Sequence, residues 1–540
     1  MRIVVVGSGV SGCHAALTLL ERGHTVEMWD VGRRDASPGL PGSTFHELKD
    51  QLPAPIDHFL GEDLRAMVPP AVPEMLRYPP SRQFLASTSD PLWSFVDGGF
   101  APFMSFATGG LANGWGANAL AFDDNDLSGW PVSFTEMDRA YRSAFARIPV
   151  AAPERDELTP FLGGMYPSQS PVPLSGSDQI LLQRYAANAA ALRRRGVHLG
   201  RARLAVVTDP ARADACDRCD RCLWGCPRGS IYNPATSTLA ACLAFPRFRH
   251  VGGRYVIALK ADSDRLTGIR FLDLANDTVR EEPCDVVLLA AGALNSGAIF
   301  LRTLRQARPD LPAESEALMD TAVVKIPFVS LRAVGRPAEA RSFQFNRLIL
   351  GLIDEHADEH ADEQATPRYL HGEVLHLTGL MYHPLIERMP FDSRTSSRLF
   401  FTMKSALGVV SLFFPDRATP GNRQVLLAGG ERWDSVRLEY RETAEKEAFI
   451  ARSAARVRSA LWKLGCVPQG IHRADSGAGI HYAGTIPMGS GPRRCGADGR
   501  SNLFPNLYVT DGAAFPSLPS KSITMSLAAH AIRVASGATL

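Results

Sequence analysis

The sequence predicts an α/β fold with a dinucleotide-binding unit at its core. Three observations point there. The first thirty residues read as strand, glycine turn, helix, strand. The 540 residues are 45% hydrophobic and 21% charged, enough to bury a large core and too apolar for a disordered chain. The chain becomes rich in glycine and small residues again from His481 onward and ends in an apolar helix. At roughly 150 residues per domain the length corresponds to three or four units, which large α/β enzymes often fuse into two intertwined domains.

Ile3 to Val6 is a short β-branched run suited to a fully buried parallel strand. Gly7-Ser8-Gly9-Val10-Ser11-Gly12 follows, and Ala15, Ala16, Leu17, Leu19 and Leu20 then give a helix with a broad apolar face. Gly23 is its C-cap candidate, and His24 to Trp29 reads as a second strand ending at Asp30. Residues 31–100 are rich in Pro, Gly, Ser and charge and predict long loops with short helices. Trp130-Pro131 opens a helix over Thr135–Ile148. Arg254 to Leu289 reads as strands and turns ending in Val286-Val287-Leu288-Leu289, and Ala290 to Ser296 leads into a helix. Residues 320–465 mix β-like runs with loops; within them Asp354 to Glu363 is a short duplication. Its His356 and His360 have the spacing of two ligands on a helix face, but the segment has no apolar face and reads as a solvated acidic insert. The last helix runs from about Ile523 to Val534.

Composition excludes several classes of function. Fifty-eight Lys and Arg against 56 Asp and Glu leave a net charge of +2, so no nucleic-acid binding driven by bulk charge is expected. No apolar run reaches the roughly 18 residues of a membrane span. The start of the chain shows no basic leader, apolar stretch and small-residue cleavage site in that order, which predicts a cytoplasmic location.

The glycine turn has the right context for a dinucleotide fingerprint: a strand before it, a helix after it, and an acidic residue, Asp30, at the end of the next strand. Gly7 permits the tight turn, Gly9 lets the backbone approach a pyrophosphate, and Gly12 allows close helix–strand packing. The helix N-terminus offers free N–H groups to phosphates, and Asp30 can accept from ribose hydroxyls. The motif alone does not separate FAD from NAD.

Later blocks carry a resemblance that does. His481-Tyr-Ala-Gly484-Thr485-Ile-Pro-Met488-Gly489 and Asn506-Leu507-Tyr508-Val509-Thr510-Asp511-Gly512-Ala-Ala-Phe515-Pro516 are similar to two blocks of the glucose–methanol–choline (GMC) family of FAD-dependent oxidoreductases. Gly109-Gly110 through Trp115-Gly116 to Trp130-Pro131 resembles that family's flavin-attachment region, and Ala291 to Ser296 its second signature. The resemblance implies a discontinuous Rossmann-like FAD-binding domain over 1–35, 100–130, 200–320 and 481–540. It also implies a substrate domain over 36–99, 131–199 and 321–480, built on a mostly antiparallel β-sheet with helices. FAD becomes the expected cofactor, with Asp511 and Gly512 by its ribityl–pyrophosphate stretch and Gly110, Asn113 and Gly116 close to the isoalloxazine. The helix after Ser522 would aim its N-terminus at the ring's pyrimidine edge.

The resemblance further implies oxidation of a CH–OH group, hydride leaving carbon for flavin N5 while His481 takes the hydroxyl proton, a task that suits imidazole. The family's second catalytic His or Asn has no counterpart here. Ser522 stands at that position beside Lys521, and either could be the second polar partner.

Cys216-x-x-Cys219-x-x-Cys222-x-x-x-Cys226-Pro227 has the bacterial ferredoxin spacing. It predicts an iron–sulfur cluster, of the three-iron type or of the four-iron type closed by Cys226 or by remote Cys242. Zinc or a metal-free loop are the alternatives. Cys13, Cys284, Cys466 and Cys495 read as core thiols. The expectation is therefore an FAD-dependent dehydrogenase for a sugar, polyol or glycosylated metabolite, its electrons leaving through the cluster to an external acceptor. An oxygen-using alcohol oxidase without a cluster and a non-catalytic flavoprotein are the rivals. Tyr382, Phe400, Phe401, Phe413 and Phe414 are candidates for stacking on a sugar face, with core packing the competing explanation.

Overall fold

The computed structural model describes residues 1–34, 42–61, 63–64, 78–85, 90, 92, 94–339, 341–354, 369–377, 383–430 and 432–540. The duplication at 354–363 lies outside them apart from Asp354, as does Tyr382.

A five-stranded parallel sheet forms the first layer, in the order Leu507–Val509, Val286–Leu289, Ile3–Val6, Val26–Trp29, Phe248–Val251. All four residues of Ile3–Val6 are buried, as a central parallel strand covered on both faces requires. The helix Val10–Glu21 buries every residue except Glu21 between this sheet and the helix Thr524–Gly537. It can lie this close because Gly12 has no side chain: a Cβ there would stand 1.9 Å from the Gly7 carbonyl oxygen. The strand at Leu507–Val509 and the final helix bring the C-terminal segment onto the N-terminal fingerprint.

A seven-stranded antiparallel sheet forms the second layer. Its main path is Cys466–Pro468, Ala322–Ser330, Leu407–Phe414, Tyr369–His376, Leu348–Ile353, Val197–Arg201, with His472–Arg473 pairing beside Ala322–Ser330. The two-residue alternation of a strand divides its side chains. Val324, Ile326, Leu412 and Val374 pack under the helices Gly176–Arg193 and Ala444–Lys463. Val323, Lys325, Ser411, Phe413 and Glu373 face a large cavity between this sheet and the parallel one. The expected combination of a parallel dinucleotide-binding layer and an antiparallel sheet with helices is what the chain forms.

Other expectations hold with small shifts. The helix expected over Thr135–Ile148 spans Phe134–Arg147, capped by the Ser133 hydroxyl. In the described parts of 31–100 the chain forms the short helices Phe45–Gln51 and Pro55–Leu60 and the strand Phe95–Gly98 within long loops. Cys13, Cys284, Cys466 and Cys495 are buried in the core. Among the described residues no helix is long and apolar enough to cross a membrane.

Candidate active site

The cavity between the layers has a volume of about 890 Å³, near the upper end for small-molecule sites. Its wall at one end is the glycine turn. Gly7 sits at φ 105°, which only glycine adopts without strain. A Cβ on Gly9 would meet no protein atom within 4 Å, so the space there is open, beside the unsatisfied N–H groups of the helix N-terminus. Asp30 lines the same end; its carboxylate accepts from the Ser8 hydroxyl and lies 3.0 Å from His250 Nε2. Further along, Asp511 accepts from Ser296 Oγ at 2.6 Å, Gly292 N at 2.8 Å and Ala513 N at 2.9 Å. Burial still pushes the Asp511 carboxyl up to about 6. Gly110, Gly116, Gly512 and Ser522 also line the cavity, and Ile523 and Thr524 turn the N-terminus of the last helix toward it.

At the other end stands His481. Its Nδ1 lies 3.1 Å from Thr321 Oγ1, and its ring lies 5.8 Å from that of Phe413. Burial lowers its pKa to about 4, so the imidazole is neutral at pH 7 and able to accept a proton. Several features fix its place. Asp320, next to Thr321, accepts from the backbone N–H groups of Gly477 and Gly479 at 2.9 and 3.2 Å, and pairs in register with Tyr482. Gly479 must be glycine, since a Cβ would stand 1.9 Å from the Thr321 carbonyl oxygen. Ile480 is held at φ 62°, an uncommon conformation for a β-branched residue and a strain retained beside the imidazole.

Two sequence expectations meet a different arrangement. Asn113 does not line the cavity: its amide donates to Thr108 O and Gly110 O, both at 2.8 Å, and its oxygen accepts from Asn233, so it braces the glycine loop. Lys521 turns away from the cavity. Its fully buried ammonium pairs with Asp123 at 3.0 Å and with Asp126, and lies 5.6 Å from the Tyr369 ring centre, which leaves Ser522 as the polar side chain of that pair on the cavity wall. Burial also raises the loop thiols, Cys216 to about 11 and Cys219 to about 12.

The iron–sulfur expectation finds no support. Among the described residues no three His, Cys, Asp or Glu side chains are grouped so as to hold a metal ion. Cys242 packs beneath the Val10–Glu21 helix with Cys13 and Leu239, remote from the loop thiols. Within the loop Cys219 is buried, while Cys216, Cys222 and Cys226 are half-buried. Neither an iron–sulfur centre nor zinc is supported.

Sequence reasoning missed Thr321, Asp320, Lys325, Ser411, Glu373 and Asn118, all at or beside the site. No local motif marks them, because strand register alone brings them together. Glu373 is half-buried on the cavity wall, accepts from Asn118 Nδ2 at 2.7 Å, and is pushed up to about 7 by desolvation, with the charge of Lys325 acting the other way. Burial lowers Lys325. Of the candidate aromatics, Phe413 lines the cavity, Phe400 and Phe414 are core residues, and Phe401 is exposed.

Comparison with known proteins agrees with this geometry. Residues 436–531 match the family described as GMC oxidoreductase. Pyridoxine 4-oxidase from Mesorbium loti is similar in structure with a TM-score of 0.62 and 15% identity, over 99% of this chain and 98% of that one. An FAD-dependent oxidoreductase from Chaetomium thermophilum follows at 0.60 and 13%, over 99% and 98%. A variant formate oxidase from Aspergillus oryzae RIB40 gives 0.61 and 11%, over 99% and 97%. No curated protein matches in sequence. The chain has the GMC oxidoreductase fold and carries a GMC oxidoreductase C-terminal domain. The matched domain is that of an oxidoreductase.

Proposed function

We propose that the enzyme oxidises the CH–OH group of a small alcohol, sugar or polyol, with His481 as the base for the hydroxyl proton. The observation that carries this reading is a neutral imidazole, tethered at Nδ1, on the wall of the same cavity that the glycine fingerprint opens into. The residues fit FAD: Gly9 leaves open space beside free helix N–H groups, and Asp30, Asp511, Gly512 and the N-terminus of the last helix line the cavity that would receive it. When bound, the flavin supplies the two-electron acceptor for hydride.

The protein's own part is positioning and proton transfer. Thr321 occupies Nδ1, so Nε2 is the nitrogen left to take the proton of a hydroxyl bound in the cavity. Ser522 orients the substrate oxygen from the neighbouring wall. Low dielectric keeps His481 uncharged until the proton arrives. The segments 1–35, 100–130, 200–320 and 481–540 are assigned to cofactor binding and 36–99, 131–199 and 321–480 to the substrate side. The electrons leave to an external acceptor, with no step assigned to the Cys216–Cys226 loop.

An anaerobic screen of flavin bleaching with sugars, polyols and secondary alcohols tests the reading without needing the acceptor. Bleaching by at least one alcohol, lost in His481→Ala, is expected. Bleaching that is unchanged in His481→Ala overturns the assigned base. Iron analysis of anaerobically purified protein decides the cysteine loop separately: stoichiometric iron would give it an iron–sulfur centre, and none would leave it a metal-free loop.

A further inference from the structure

The helices Gly176–Arg193 and Ala444–Lys463 cover the antiparallel sheet on the side away from the cavity, and their solvent face is unlike the rest of the chain. Over the whole sequence Lys and Arg number 58 and Asp and Glu 56. Residues 179–195 and 448–463 together hold eight Lys and Arg and no Asp or Glu. The two stretches lie side by side: Arg195 Nη1 donates to Ser459 Oγ, and Arg456 Nη2 donates to the Arg195 carbonyl, both at 2.7 Å. Arg193 pairs with Glu157 at 2.8 Å. Arg194, Arg195, Arg452, Arg456 and Arg458 are exposed and form no ion pair among the described residues. Between these charges the face is smooth, with Ala186, Ala187, Ala190, Ala451 and Ala455 exposed.

At the end of Ala444–Lys463 the basic face meets large apolar side chains. Trp462 is 58% exposed and Leu331 60%. Gly465 joins them: its N–H donates to the Trp462 carbonyl and its carbonyl accepts from the Leu331 N–H, both at 3.1 Å. Val334 and Phe401 continue this edge, both exposed, and the Gly335 N–H ties their loops together by donating to the Thr402 carbonyl at 2.9 Å. Clustered like charges repel, and a Trp or Leu left in water forgoes its burial, so neither feature serves the fold by itself. We propose that this face docks the protein on an anionic lipid bilayer. Guanidinium groups bind lipid phosphates through paired hydrogen bonds, and each basic side chain near such a surface adds attraction. Trp462 and Leu331 then enter the boundary between headgroups and acyl chains, where an indole sits well. An acidic protein would answer the arginines but gives no separate reason for the apolar edge. The shape agrees: a helix of 20 residues is about 30 Å long and lies flat, as a planar surface requires.

Co-sedimentation of the holoenzyme with vesicles tests the proposal, using phosphatidylcholine alone and phosphatidylcholine mixed with phosphatidylglycerol. Binding to the mixed vesicles that weakens as salt rises, with little binding to the neutral ones, is expected. The combined variant Arg194→Gln, Arg452→Gln, Arg458→Gln removes three charges whose side chains make no hydrogen bond or ion pair among the described residues. It is expected to weaken binding to the mixed vesicles about 100-fold, and Arg452→Gln alone about fivefold. Trp462→Ala is expected to weaken it about tenfold, through lost apolar burial. Melting temperature and flavin content, expected to match the unaltered protein, separate lost docking from lost folding, and the single Arg452→Gln variant carries the test if the combined one melts lower. Absence of salt-sensitive binding to the mixed vesicles overturns the proposal. So does undiminished binding by folded Arg452→Gln and the combined variant. Poly-L-glutamate bound as tightly as the mixed vesicles, with Trp462→Ala affecting neither, overturns it in favour of an acidic protein partner.

Discussion

His481 performs its role through three features, and each answers to a different substitution. The imidazole itself takes the proton. Its loss in His481→Ala is expected to slow anaerobic flavin reduction by about 10²–10⁴-fold, the usual worth of a positioned general base. Thr321 only orients the ring, through the contact at 3.1 Å to Nδ1. Thr321→Val is therefore expected to cost about tenfold, the equivalent of one hydrogen bond, with flavin content unchanged. The pH dependence has a definite sign. Because burial lowers the His481 pKa to about 4, the base is in its working neutral form above that value and is lost as pH falls through it. Stopped-flow reduction rates should accordingly stay level from pH 7 toward 5 and fall on approach to 4. A fall centred near 6.5 instead would mean that the imidazole is not desolvated as placed.

At the scale of elements, the glycine turn makes two glycines separable that a motif treats alike. Gly9 has ordinary φ of −67° and empty space where a Cβ would go, whereas a Cβ on Gly12 would collide with the Gly7 carbonyl oxygen at 1.9 Å. Gly9→Ala should leave the melting temperature of the apoprotein unchanged and reduce FAD retention, since only a bound pyrophosphate contests that space. Gly12→Ala should lower both, because helix and strand must move apart. Absorbance of bound flavin per protein, beside a thermal melt of flavin-stripped protein, distinguishes the two. This turn was legible because its chemistry is local: strand, turn and helix are contiguous. The antiparallel sheet was not. Lys325, Ser411 and Glu373 lie 86 and 38 residues apart in sequence, and only the pairing of Ala322–Ser330, Leu407–Phe414 and Tyr369–His376 sets them in one row. The cysteine spacing was as local and regular as the glycine turn, yet spacing alone does not set how a loop arranges its thiols, and no group able to hold a metal is found among the described residues.

Across the whole molecule, the return of the C-terminal segment to the N-terminal fingerprint could be inferred from glycine-rich blocks at both ends, while the way the two sheets are held together could not. Asp320 is central to that joint. It binds the loop that leads to His481, and its backbone N–H donates to Asp416, which accepts in turn from Tyr440 and Lys446. Burial pushes the Asp320 carboxyl up to about 8, with the backbone N–H groups of Gly479 and Gly477 opposing the shift. A carboxyl whose folded pKa lies above its unfolded value stabilises the fold fully at low pH and loses that contribution as pH rises through the folded value. Between its unfolded value near 4 and about 8 the loss accrues at about 1.4 kcal/mol per pH unit. The buried histidines His14, His371, His481 and His530, lowered to between about 3 and 4, oppose this slope near pH 6.5, where they charge only in the unfolded chain, and add little above about pH 7.5. The melting temperature of the wild-type protein should therefore decline from pH 7.5 to 8.5 at constant ionic strength. Asp320→Asn keeps an acceptor for Gly477 and Gly479 but cannot ionise, so its decline should be shallower over the same range. Equal slopes in the two proteins would show that Asp320 is already ionised in the fold, and that the joint between the sheets holds a carboxylate rather than a neutral acid.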